Sequence, residues 1–344
     1  MLQMRWLVLF LSVFSSISLR APVAIAVASI ARTIVVDLKG GGDFKSIQQA
    51  IDSVPDNNNN WTKIHVAAGV YSREKVNVTS TKSYIVLEGD GAQTTSIEWG
   101  NYSDFSGHTT DTSATFTSYA SNFVAKRITF KNTHNGFANL TPAVAAWILG
   151  DKSAFYNCSF IGFQDTLADM LGRHYYKGCY IEGVVDFIFG YGQSIYEFHM
   201  LCLIKLLCVT QQCNISTVQS LRKPGYVTAQ GRNSTSDNGG FVFKWCTISG
   251  PQATYLGRAW KQYSRVIFYQ TCMSDIIVPE GWYIWNAKDE GLVTFAESGC
   301  TGPGSDLSGR VKWEKQLSDD ELKKFIDISY IDGEGWLDAQ PPVD

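Results

Sequence analysis

Short runs in which apolar and polar residues alternate recur along the chain. They include SNFVAKRITFKN (121–132), SAFYNCSFIG (153–162), RHYYKGCYIEG (173–183), GFVFKWCTISG (240–250) and RVIFYQTCMSD (265–275). Each is rich in β-branched and aromatic residues and bounded by Gly, Asn, Asp or Ser, the pattern of short strands between turns. Two neighbouring phrases match most closely. CSFIGFQD (158–165) and CYIEGVVD (179–186) each open on a cysteine and close on an aspartate, 21 residues apart. Strands at a period of roughly 20–30 residues, with few helical patterns, predict an all-β parallel β-helix whose coils stack about 4.8 Å apart. The alternatives are a β-sandwich or a propeller, but a blade needs about 40 residues and a signature not found here.

Two helices are expected to blunt the open sheet ends. In DFKSIQQAIDSVP (43–55), Phe44, Ile47, Ile51 and Val54 share a face, with Asp43 as N-cap and Pro55 as the stop. Near the C-terminus Ser318 and Glu321 frame a capping box ahead of LKKFI. One block breaks the pattern. FHMLCLIKLLCVTQQ (198–212) is apolar throughout and too short to span a membrane. Without it the interval from Cys179 to Cys213 returns to about one coil. It reads as an insertion in a loop, or as a product of how the coding sequence was assembled, and its apolar surface carries an aggregation risk.

The N-terminus has Arg5, an apolar run from Trp6 to Leu19, and then small residues including Ala26, Val27 and Ala28. That order predicts a secretory signal peptide over residues 1–28, followed by a single β-helix domain over 29–344. A membrane anchor is the alternative, but Arg20 ends the apolar run short of the roughly 20 residues a span needs. Seven Asn-x-Ser/Thr triplets, at Asn60, Asn77, Asn101, Asn139, Asn157, Asn214 and Asn233, agree with secretion. Asn157, inside an apolar repeat, is expected to be shielded. The eight cysteines permit disulfides in a secreted chain. Yet Cys158, Cys179, Cys213, Cys246 and Cys272 all precede an alternating segment, which suits small buried side chains equally well. No pairing is assigned, and no CxxC or Cys/His cluster has metal-ligand spacing. A net charge of −3 without a basic stripe excludes a nucleic-acid partner.

The repeated aspartates carry the chemistry. In a stacked solenoid Asp165 and Asp186 lie one coil apart, with Cα atoms about 5 Å from each other. Two carboxylates that close cannot both ionise easily, so one becomes an acid and the other a nucleophile or base. Turn-forming aspartates facing water would show the same spacing. The neighbours favour chemistry. The Gln164 amide can donate to developing negative charge. Phe187, Ile188 and Phe189 make an apolar setting in which Asp186 needs a partner. Arg258, in YLGRAWKQYS, is the candidate partner, and Trp260 and Trp282 are candidate stacking rings.

Taken together, QDTL (164–167), VDFIFG (185–190), YLGRAW (255–260) and PEGW (279–282) resemble the plant pectin methylesterases. GDKSAFYNCSF (150–160), TAQGR (228–232) and TDTSATF (110–116) extend the resemblance, which runs from about residue 33 to residue 313. It implies a single-stranded right-handed parallel β-helix that hydrolyses methyl esters of homogalacturonan, releasing methanol, with no metal or cofactor. It makes Asp186 the nucleophile, Asp165 the proton donor and base, and Gln164 the oxyanion donor. Arg258 orients Asp186, and Trp260, Trp282 and Thr110 contact substrate. It further implies a monomer in the extracellular cell wall, with pectin and a proteinaceous pectinesterase inhibitor as partners and no membrane after signal removal. The chain resembles the short form, without an inhibitor-like pro-region.

Three departures bear on activity. The family's QAVAL phrase is PAVAA here (142–146), and Pro142 has no hydrogen-bond donor. Losing such a donor costs on the order of 100- to 1000-fold in rate. GVYSRE (69–74) has one extra residue before Glu74, and the apolar block follows the active coil. Weaker activity is therefore expected, and a catalytically inactive pectin-binding relative is the competing reading. Another β-helix pectin-degrading enzyme is a third: a glycosidase also pairs carboxylates, whereas a lyase wants a calcium cluster or basic catalyst. A serine hydrolase is disfavoured because no G-x-S-x-G phrase occurs.

Overall fold

A computed structural model describes residues 28–104, 107–134, 140–197, 213–218 and 223–342. The expected leader (1–28), apart from its last residue, and the apolar block 198–212 lie outside them. Twenty-six short strands assemble into three sheets, one of ten strands and two of eight, in which every pairing is parallel. Each sheet takes one strand from each successive coil, so the chain winds as a right-handed parallel β-helix.

The clean 21-residue coil is seen directly. Ser159 pairs with Tyr180, and Leu167 pairs with Ile188. Its length follows from the turn that leads out of the ten-stranded sheet, which is two residues long. The first turn residue is left-handed: Arg127, Asn157, Trp245 and Gln270 have φ between 47° and 55°. At Gly178 the same place has φ 65°, and an added Cβ would meet Asn157 Oδ1 at 2.4 Å. The second turn residue points inward and is buried, as at Ile128. Cys158, Cys179, Cys213 and Cys246 stack there as buried free thiols. Cys272 does not join them. Thr271 takes the inward place in its coil and Cys272 is exposed, because the phrase is shifted by one residue. Asn157 is exposed at the turn, not shielded.

The core is built of columns. Phe155, Tyr176, Tyr196, Phe243 and Phe268 stack with centroids 4.4–4.9 Å apart and planes within 17° of parallel. Such pairs add about 0.5–1.5 kcal/mol each beyond their buried area. The ten-stranded sheet is apolar on its outer face too, where Val124, Tyr175, Ile195 and Val242 meet Leu322, Ile331 and Trp336.

Helix α1 (Ile47–Asp52) packs on the first coils with Ile47, Ile51 and Val54 buried, but its N-cap is Ser46. Asp43 is spent on the Val35 amide at 2.8 Å. Glu74 accepts the α1 amides of Ile47 and Gln48 at 2.7 and 3.1 Å. Helix α2 (Asp319–Ile326) carries the expected capping box. With α3 (Ser329–Asp332) it lies along the flank of the ten-stranded sheet and does not cover the open end, because that is where the outer apolar face needs burial. Among the described residues no helix is long and apolar enough to cross a membrane.

Candidate active site

The site lies on the outer face of the eight-stranded sheet that includes the strands Leu167–Asp169, Val185–Gly190, Gly225–Gln230 and Thr254–Ala259. Gln164 forms isolated bridges to Pro142 on one side and Val185 on the other. Asp165 and Asp186, the next residue in each coil, therefore share a register position one coil apart. The Asp165 amide donates to Val185 O at 3.1 Å. Both aspartates have left-handed backbones, φ 61° and 48°. Asp186 also sits at a register shift against the following strand, between Val185 and Ile188. Bulges re-aim side chains, and positive φ in a non-glycine residue is strain that clusters at functional sites.

Arg258 reaches back to Asp186 from two strands away, because its register partner is Ala229, which in turn pairs with Phe189. The ion pair is bidentate. Nε donates to Asp186 Oδ1 at 2.7 Å, and Nη2 donates to Oδ2. Asp186 is 6% exposed. Burial pushes its carboxyl above the ordinary range, and Arg258 opposes that push. Asp165 is driven well above it by burial and by the nearby Asp186, with only a weaker counter-pull from Arg258. The two carboxyls are thus split. Asp165 holds its proton more tightly, and Asp186 is the one matched to a fixed cation. A protonated acid beside an ionised carboxylate is what acyl transfer needs from one face.

Gln164, Asp165, Asp186, Arg258, Trp260 and Thr110 line one cavity of about 310 Å³. Trp282 does not. It is 1% exposed and stacks on Phe295 inside the solenoid, with centroids 4.6 Å apart. A two-residue strand followed by a turn explains this. Trp282 points inward beneath Gly257, Tyr283 points outward beside Arg258, and Trp285, three residues on, lines the cavity. The strand ends at Tyr283, and Trp285 follows in a turn with a left-handed backbone, φ 47°, which puts its ring where Trp282 was expected. Its ring lies 3.7 Å from the Arg258 guanidinium carbon. Trp147 and Phe189, in edge contact at 6.1 Å, complete the apolar wall. Sequence reading missed Trp147, which directly follows the PAVAA phrase (142–146) but was not singled out with it. A larger concavity, about 770 Å³, lies on the third sheet. Its Lys131 and Arg127 are paired with Glu98 and Glu88, and no carboxyls converge there as they do around Asp186.

The Pectinesterase family profile matches residues 33–334. The chain belongs to the pectinesterase family. It is 47% identical over 318 residues to "Putative pectinesterase 10" of Arabidopsis thaliana, covering 91% of this chain and 89% of the relative. Among solved structures it resembles the pectin methylesterase from carrot, with a TM-score of 0.82 and 32% identity over 92% of this chain and 98% of that one. The Aspergillus niger pectin methylesterase superposes with a TM-score of 0.75 at 27% identity, over 92% of this chain and 98% of that one. Family and fold support a carboxylic ester hydrolase acting as a pectin methylesterase. Pro142 lies one coil from Gln164 in the same row. Its carbonyl accepts from the Ser103 amide at 2.8 Å.

Proposed function

We propose that this pectinesterase removes methyl esters from homogalacturonan by covalent catalysis at Asp186. The observation that carries the reading is a pair of carboxyls one coil apart, Asp165 half-buried and Asp186 buried, the latter held by a bidentate guanidinium. The ionised Asp186 oxygen attacks the ester carbonyl carbon, and the resulting oxyanion takes a hydrogen bond from the Gln164 amide. Collapse breaks the bond to the methoxy group, and the Asp165 carboxylic acid protonates it as methanol leaves. An anhydride between Asp186 and the galacturonate carboxyl remains. Water then attacks that galacturonate carbon, Asp165 takes the water's proton, and Asp186 leaves as a carboxylate. Each proton given in the first half is recovered in the second. Trp260, Trp285 and Thr110 contact the galacturonate rings along the groove, the role first given to Trp282 passing to Trp285.

On this reading the protein is a monomer secreted to the cell wall by its leader, with exposed Asn157 and Asn214 as glycan acceptors and a proteinaceous pectinesterase inhibitor as a partner at the cleft. The test is release of methanol and acid from methyl-esterified pectin. The parent chain should release both, and Asp186→Asn should lose at least about 1000-fold in rate. One observation favours a second reading, a weakly active or non-catalytic pectin-binding relative: Pro142 supplies no donor where the family has a glutamine. Retained binding to pectin with no methanol release from the parent chain would select it.

A further inference from the structure

Arg258 must hold a long, flexible side chain across two strands to meet Asp186, and the ion pair alone does not fix where the guanidinium plane sits. Two rings flank it. The Trp285 ring centroid is 3.7 Å from the guanidinium carbon and that of Tyr226 is 4.3 Å away. Tyr226 is well placed for this. Its register partner on the preceding coil is Val185, the residue just before Asp186. On the following coil it pairs with Tyr255, whose ring stacks on it at 5.2 Å with planes 10° apart. Tyr283 closes the cluster at 5.9 Å from Tyr226 and 6.0 Å from Tyr255. The ring beside Arg258 is thus backed by two others and has little room to turn. Burial raises the Tyr226 phenol above its ordinary value, so it presents a neutral π face and no competing anion.

We propose that Tyr226 is a positioning residue that fixes the Arg258 guanidinium against Asp186 and so sets the pH at which the nucleophile becomes ionised. The inference rests on the reading of Asp186 as nucleophile. Cation–π contact orients a guanidinium as well as attracting it, and the effect grows where water is excluded. The charged groups facing Asp186 are Arg258 and Asp165, with Tyr226 beside them and Tyr255 and Tyr283 behind. Loosening Arg258 weakens the cation that opposes burial. The Asp186 carboxyl then moves further up, and the acidic limb of kcat/KM moves with it.

The experiment measures kcat/KM for methyl-esterified pectin against pH in the parent, Tyr226→Phe, Tyr226→Leu and Tyr226→Met. Phe, which keeps the ring, should leave the acidic limb in place. Leu and Met should each move it to higher pH by about half a unit or more. In an Arg258→Lys background, Tyr226→Leu should add little further shift, because the planar guanidinium it orients is gone. A raised KM with an unmoved limb would mean that Tyr226 only stacks on sugar, and the proposal would fail. An equal shift with and without Arg258 would also overturn it. Should Tyr226→Leu not fold, Tyr226→Met decides the matter on the same readout. Asp186→Asn separates the two levels. An active Asp186→Asn enzyme sinks the nucleophile reading itself. An inert one with an unmoved Tyr226→Leu limb sinks the positioning role alone.

Discussion

Asp165 keeps a proton in the folded chain that it would give up at ordinary acidity once unfolded. Its carboxyl is raised by burial and by Asp186, so folding binds a proton in the window above the unfolded value of about 3.9. Stability from this group is therefore present at low pH and lost as pH rises through that window. Asp165→Asn should remove the penalty. The melting temperature of the variant should exceed that of the parent by a margin that widens from pH 4 to pH 8. Methanol release should fall by about 100- to 10,000-fold, as expected for a lost general acid. A variant that melted like its parent at pH 8 would contradict the shared-burial account. Pro142 allows the opposite experiment. Its bridge to Gln164 puts residue 142 in the same row one coil away, so Pro142→Gln would place a second amide near the developing oxyanion. Its expected result is a gain of at least about tenfold in kcat, within the range such donors supply. An unchanged rate would show that Gln164 suffices. Both aspartates were legible in the sequence because their 21-residue interval is one uninterrupted coil. Tyr226 was not, because the block 198–212 separates it from Val185 and hides their pairing.

At the scale of elements, the turn out of the ten-stranded sheet sets the period. A left-handed residue and an inward, buried one close it, and cysteine recurs in the inward place ahead of the strands. The same turn frames a prediction about the apolar block. The strands Gln193–Glu197 and Asn214–Thr217 stay in register with their neighbours on both sides. Two residues make the equivalent turns, Gly178–Cys179 and Trp245–Cys246. Deleting 199–212 leaves Phe198 and Cys213 as a two-residue turn with its inward cysteine. The shortened chain should keep its melting temperature and its rate of methanol release, and more of it should be recovered soluble, since a long apolar stretch is removed. A shortened chain that melted well below the parent would mean that the block contributes to the fold. The helices show how far local signals reach. Ser318 and Glu321 form the predicted box because capping is decided within one turn. The cap of α1 moved from Asp43 to Ser46 because Asp43 found a tertiary partner in the Val35 amide.

Over the whole molecule, the sequence by itself determined the coil. Alternating strands, turn residues and a repeat of about 21 residues are short-range properties, and stacking coils is how such strands bury a shared core. It also determined that two carboxyls meet, since one period apart in a solenoid means side by side. Only the tertiary structure decided which ring faces which way. Trp282 enters the core because it pairs with Gly257, and Trp285 reaches the groove from a left-handed turn past the end of that strand, neither of which can be read locally. The sequence offered Arg258 as a partner for Asp186, but only the tertiary structure aimed its guanidinium at both carboxylate oxygens, across 72 residues of chain, and brought Tyr226 beside it from 40 residues away. It also laid α2 and α3 along the flank, where an outer apolar face needed cover. The physical reason is one and the same. Period and turn chemistry are carried by neighbours in sequence, whereas the electrostatics of the site depend on which coils become neighbours in space.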